Sequence, residues 1–177
     1  PENAPIGTSV GTFRTTQVES AGEFAYSLVS GPGDSGNGQF TIDASGVLRT
    51  TVAFDFETRN DYSLRVRSTD ALGRSTDWVL AVRVANQAEA PQAILLSNAT
   101  VEELAPIGTV VGTLSTVDSD LLESFVYSLV PGPGSTDNSQ FTIAEGGSVR
   151  TAAVFQFATQ NVFSIRVRST DGTGLSI

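Results

Sequence analysis

The chain contains no cysteine, histidine, methionine or lysine. Each absence excludes chemistry. Without Cys there are no disulfides, thiolate nucleophiles, iron–sulfur clusters or Cys-type zinc sites. Without His there is no Ser-His-Asp triad, no imidazole general base and no ordinary zinc, copper or haem site. Without Lys there is no Schiff base, no P-loop lysine and no Lys–Asn isopeptide crosslink. Apolar runs stop at four or five residues, far short of the roughly 20 that span a bilayer as a helix. The chain opens on Pro1 rather than Met. That reads as a segment excised from a longer protein, or one whose start lies elsewhere.

What is present is acidic. Nineteen Asp and Glu face ten cationic residues, all Arg, for a formal net charge of −9. That balance disfavours nucleic acid and anionic membrane surfaces. The chemistry left to the chain is that of carboxylates with hard cations, above all calcium. Residues 1–91 hold 11 acids and 7 Arg, and residues 92–177 hold 8 acids and 3 Arg, so the charge is not confined to a tail. With 40% hydrophobic residues over 177 positions, the composition fits one large or two small domains rather than disorder.

The sequence repeats itself at an offset of 101 residues without a gap. Pro5-Ile6-Gly7-Thr8 recurs at 106–109, Tyr26-Ser27-Leu28-Val29 at 127–130, Gly31-Pro32-Gly33 at 132–134 and Gln39-Phe40-Thr41-Ile42 at 140–143. Arg65-Val66-Arg67-Ser68-Thr69-Asp70 recurs at 166–171. Two copies of one unit are therefore expected, as domains 1–90 and 91–177. Residues 93–98 have no counterpart before Pro1, and residues 77–86 have none after Ile177. The first copy is thus expected to lack its opening strand and the second its closing strand. Two contexts fit: a window on a longer array, or a subunit completed by strands from neighbouring chains.

Within each copy the hydrophobic period is two. Tyr62, Leu64 and Val66 fall on one face, with Arg65 and Arg67 on the other. Trp78 to Val84 reads as the strand that closes the unit. Shorter strands are expected at Val10 to Thr15, Phe24 to Val29, Phe40 to Ile42 and Val47 to Thr50. Gly and Pro punctuate the pattern, and no long stretch carries a helical stripe. Seven short strands in about 100 residues predict an all-β, immunoglobulin-like Greek-key sandwich. Phe54/Phe56 and Phe155/Phe157 are expected in or at the edge of the two cores.

These units resemble cadherin repeats, in particular bacterial cadherin-like repeats, over nearly the whole chain. Pro1-Glu2-Asn3 is similar to the family's early Pro-Glu-Asn. Asp55-Phe56-Glu57 is similar to its Asp-Arg-Glu, with Phe in place of Arg. Asp118-Ser119-Asp120 is similar to its Asp-x-Asp, and Asp171 stands where a carboxylate ends the penultimate strand. The linker Ala85-Asn86-Gln87-Ala88-Glu89-Ala90-Pro91 departs from the family's Asp-x-Asn-Asp-Asn, with Ala85 and Ala88 replacing both aspartates. The resemblance implies tandem sandwiches whose junction is stiffened by calcium, in an extracellular or cell-surface protein. The absence of Cys fits a bacterial exterior built without disulfides.

Eight residues are the expected metal ligands: Glu2, Asp55, Glu57, Asn86, Glu89, Asp118, Asp120 and Asp171. Six to eight oxygens suit calcium, and so many carboxylates together would repel one another without a cation. In the other copy, Asp55 and Glu57 become Gln156 and Ala158, while Asp118 and Asp120 correspond to Gln17 and Glu19. One principal metal junction is therefore expected, between the copies.

Other motifs reduce to structure. Gly33-Asp34-Ser35-Gly36 is similar to a trypsin-type nucleophile loop, but no His is present to activate Ser35. Asn37-Gly38 reads as a tight turn, and Asn98-Ala99-Thr100 is an N-glycosylation sequon by pattern. Arg65/Arg67 and Arg166/Arg168 read as solvated strand faces paired with acids. Paired carboxylates for glycoside hydrolysis need a cleft that small sandwiches do not offer, so no enzymatic activity is expected. The expected function is an extracellular structural or adhesive segment of a large repeat array. Its partners are other repeats of the same or a neighbouring chain, or a cell-surface protein or glycan. The alternatives are a subunit of a strand-donated homopolymeric fibre and a carbohydrate-binding accessory module.

Overall fold

The chain is described by a computed structural model covering residues 1–16, 23–120 and 124–177. Gln17 and Glu19, the counterparts of Asp118 and Asp120, lie outside the described residues. The backbone divides into two compact units, Pro1–Gln87 and Ala88–Ile177, three residues before the boundary that the repeat predicts after residue 90.

The first unit is built from β1 (Ser9–Thr12), β2 (Ala25–Leu28), β3 (Phe40–Ile42), β4 (Val47–Thr50), β5 (Asp61–Thr69) and β6 (Ser75–Arg83). All pairings are antiparallel, in two sheets of order β1-β4-β3 and β2-β5-β6. The alternation of β5 does what its sequence predicts: Tyr62, Leu64 and Val66 are buried, and Leu64 is 0% exposed. They meet Phe40, Leu48, Phe54 and Val84 in one core. The ring centroids of Phe54 lie 5.2 Å from Phe40 and 4.7 Å from Tyr62, an aromatic cluster worth more than its buried area alone. On the other face Asp77 accepts hydrogen bonds from both Arg65 and Arg67, at 2.7–3.2 Å.

The second unit contains β7 (Ala93–Leu96), β8 (Val110–Val117), β9 (Val126–Leu129), β10 (Phe141–Ala144), β11 (Ser148–Thr151) and β12 (Val167–Thr170). Its sheets have the order β10-β11-β8-β7 and β12-β9. Strands β8 to β12 repeat β1 to β5, down to a register shift at matching places, Ser9/Gly11 and Val149/Arg150. Each unit thus shows six strands among the described residues, not seven. Among the described residues β7 has no counterpart beside β1, and the counterpart of β6 beside β12 amounts to Ser176 and Ile177, paired with Thr170 and Ser169. The consequence is visible in length. β8, flanked by β7, runs eight residues, whereas β1 runs four. β12 keeps four residues where β5, flanked by β6, has nine.

Two local readings need correction. Asn37-Gly38 makes no hairpin turn; it opens a 3-10 turn, Asn37–Gln39. The Asn37 amide instead donates to the Val29 and Arg65 carbonyls, and its oxygen accepts the Arg65 N–H. Asn138 repeats the bonds to Val130 and Arg166 with Ser139 in place of Gly38, so the Asn side chain, not the Gly, is what the position requires. Phe157 is 66% exposed, whereas Phe56 packs on the first core. An open groove of about 470 Å³ lies beside Phe157, Phe163 and Ile165, so this core edge is less covered than its counterpart.

Candidate metal centres

The acids of the first unit are positioned by the core. In Phe54-Asp55-Phe56-Glu57 the two rings pack inward, which turns the two carboxylates outward from the same short segment. The Asp55 carbonyl accepts the Arg59 N–H at 3.0 Å, and its carboxylate accepts the Thr58 N–H at 2.8 Å and the Thr58 hydroxyl at 2.9 Å. These bonds from Thr58 hold the Asp55 carboxyl below its ordinary pKa, so it is ionised at neutral pH.

Glu2 reaches the same place from the chain start. Its backbone is held by two bonds, Glu2 N–H to the Ala85 carbonyl and Asn3 N–H to the Phe54 carbonyl. Asn3 takes φ +55° to make this approach, a conformation Asn tolerates better than most residues. The Glu2 side chain is buried, 1% exposed. Its two oxygens accept the N–H of Phe56 at 2.7 Å and of Gln87 at 2.8 Å. Ligand oxygens of Glu2, Asp55 and Glu57 lie within 4.8 Å of one another. Two oxygens on opposite sides of one calcium ion are about 4.6–5.2 Å apart, so this spacing suits a single ion. Among the described residues no second group of three acids meets the same spacing. Asn86 is exposed on the first unit's side of the linker.

The acids of the second unit are held separately. The Asp120 N–H donates to Asp118 Oδ1 at 3.1 Å, and the Glu89 N–H donates to Asp120 Oδ2 at 2.8 Å. Asp120 is buried, and Asp118 and Glu89 are half-buried. Asp171 ends β12 and closes the turn that follows. Its Oδ1 accepts the N–H groups of Thr173 and Leu175 and the Thr173 hydroxyl, at 2.8–2.9 Å. Burial pushes its pKa up, but the hydroxyl and N–H donors outweigh burial and hold it below the ordinary value.

The other oxygen of Asp171 is the informative one. Asp171 is 6% exposed, and its Oδ2 is buried with no hydrogen-bond partner; Asp118 Oδ2 is in the same condition. The first unit shows what fills that role elsewhere. There Asp70 makes the equivalent turn, its Oδ1 accepting the Leu72 and Arg74 N–H groups, while Arg74 Nε donates to Oδ2 at 2.7 Å. In the second unit the Arg74 position is Leu175. The guanidinium is gone, and a buried anionic oxygen is left with capacity for a cation. Burying a carboxylate oxygen without a counter-charge costs free energy, and a carboxylate is the donor calcium prefers. Sequence motif alone marks Asp171, and the 101-residue offset displays the exchange of Arg74 for Leu175 directly. Glu103, the counterpart of Glu2, is exposed and accepts one N–H, from Phe157 at 3.0 Å.

Comparison with known proteins bears on this geometry. The cadherin-domain family model matches residues 1–85. Protein dachsous of Drosophila melanogaster is 30% identical over 97% of the chain, which covers 6% of that protein. Human cadherin-24 is 34% identical over 86% of the chain, which covers 20% of it. The chain therefore spans a small part of the curated relatives it matches. Among solved structures, human protocadherin-24 EC1-2 is similar with a TM-score of 0.73 and 20% identity, covering 99% of this chain and 82% of that one. The cis-dimer structure of protocadherin gammaB7 EC3-6 gives 0.69 and 24%, covering 100% and 42%. These likenesses establish the fold as cadherin-like β-sandwiches. The relatives named are animal proteins, and they lend no support to the bacterial source expected from the absence of Cys.

Proposed function

We propose that the chain, whose residues 1–85 match a cadherin domain, is a pair of consecutive cadherin repeats from an extracellular adhesive or structural array. Calcium would be the resident cation, bound by Glu2, Asp55, Glu57 and Asn86 of the first repeat and by Glu89, Asp118, Asp120 and Asp171 of the second. Its chemistry here is not catalytic. By replacing repulsion among carboxylates with shared ligation, it stiffens the connection between repeats. The proposed partners are other repeats of the same or a neighbouring chain.

The observation that carries this reading is the buried, unpartnered Oδ2 of Asp171 where Asp70 has Arg74. The convergence of Glu2, Asp55 and Glu57 within 4.8 Å adds to it. The test is thermal unfolding at fixed ionic strength, with about 2 mM calcium against excess chelator. A ligand bound only by the native state at 100 times its Kd stabilises by about 2.7 kcal/mol, so a rise of several degrees is expected. Magnesium, which demands tight octahedral geometry, should produce little. Superimposable curves with and without calcium would overturn the metal assignment and leave a cation-free pair of sandwiches.

A further inference from the structure

We infer that Asn98 is a site of N-linked glycosylation, carrying one oligosaccharide on the second repeat; the inference rests on the extracellular reading above. The chain has seven Asn, at 3, 37, 60, 86, 98, 138 and 161, and only Asn98 stands in the pattern Asn-x-Ser/Thr, as Asn98-Ala99-Thr100. The pattern alone is weak, and placement in the fold strengthens it. Residues 97–100 are all exposed and follow β7, the edge strand of its sheet. The Thr100 hydroxyl donates to Asn98 Oδ1 at 3.0 Å, so the hydroxyl and the amide of the sequon stay side by side at the exposed surface of the folded chain.

The transfer balances without an oxidant. Nδ2 attacks the anomeric carbon of a lipid-pyrophosphate-linked oligosaccharide. A C–N bond forms, the C–O bond to pyrophosphate breaks, the lipid pyrophosphate leaves, and one amide proton passes to the transferase. In the folded chain Nδ2 donates to the Thr100 and Val111 carbonyls, both at 2.7 Å. Transfer to the chain before it folds precedes both bonds, and the modified nitrogen retains one hydrogen for one of them. The sugar then stands at the end of β7, a free sheet edge. A bulky hydrophilic group there opposes edge-to-edge pairing with other strands.

The test is secretion of this 177-residue chain from cultured animal cells behind a secretion leader, followed by intact-mass measurement. The expected product carries one oligosaccharide, removable by peptide N-glycosidase with Asp left at position 98. Thr100→Ser should retain it. Thr100→Ala should lose it, and so should Ala99→Pro, which leaves both side chains of the sequon in place. A secreted chain at its bare mass overturns the site while leaving the extracellular reading intact. A chain retained in the cell with the sugar attached supports the site and counts against the extracellular reading instead.

Discussion

Asp77 illustrates how a single residue ties a strand pair to pH. Its carboxylate lies between Arg67 and Arg65, whose donated hydrogen bonds lower its pKa from 3.8 to about 2. A carboxyl with a folded pKa below its unfolded value stabilises the native state above the unfolded pKa, and loses that contribution as pH falls through the folded one. Asp77→Asn should therefore be less stable than the parent at neutral pH, and the gap between them should close between about pH 4 and pH 2. Denaturant midpoints measured along that range would check it; a gap independent of pH would show that the bonds, not the charge, matter. Asp171 supports a second prediction. Leu175→Arg restores the guanidinium that Asp70 receives from Arg74. The variant should melt higher than the parent in chelator, yet gain less from calcium. A calcium response equal to the parent's would remove Asp171 from the ligand set. The exchange of Arg74 for Leu175 is legible in the repeat, whereas Asp77, in residues 77–86, has no counterpart there. Burial of one carboxylate oxygen is a three-dimensional fact that spacing does not carry.

At the level of elements, the strands were legible because their period is two and one face is apolar. β3 and β4 fall where the alternation puts them, and β5 and β6 within one to three residues at each end. β1 is shorter than the expected Val10 to Thr15, because a strand's length depends on neighbours that its own sequence does not reveal. The glycines of β1 and β8 make the same point through packing. Gly11 and Gly112 occupy matching positions, and neither needs a positive φ. A Cβ on Gly112 would collide with the backbone of Asn98, while one on Gly11 would meet nothing within 4 Å. Gly112→Ala should cost about 1–3 kcal/mol from overpacking, and Gly11→Ala should be neutral or stabilising by up to about 1 kcal/mol. Chemical denaturation of the two variants would compare them directly. Equal effects would mean that local strand propensity, not the approach of Asn98, governs the position.

For the whole molecule, the duplication was the most legible feature, since a gapless 101-residue repeat needs no structure to be seen. The candidate metal residues were legible as a set of motifs but not as geometry. The sequence could not tell that Glu2 is buried under two N–H donors while Glu103 keeps one bond and stays exposed. The two cores also differ in completeness. Leu64 is 0% exposed beneath paired β5 and β6, whereas Ile165 is half-buried. Calorimetry should accordingly resolve two transitions. Leu64→Ala, at about 2–5 kcal/mol for a buried large-to-small change, should lower the upper one, and Ile165→Ala should lower the other by less. A single transition shifted by both substitutions would mean that the units melt as one.

The sole tryptophan, Trp78, stands in β6 opposite Val66, 67% exposed. Because Ala88–Ile177 contains no indole, intrinsic emission excited at the red edge is a private channel to the first unit, while backbone circular dichroism hears both. Recording the two signals on one sample during unfolding separates the melting of each sandwich without a label or a substitution.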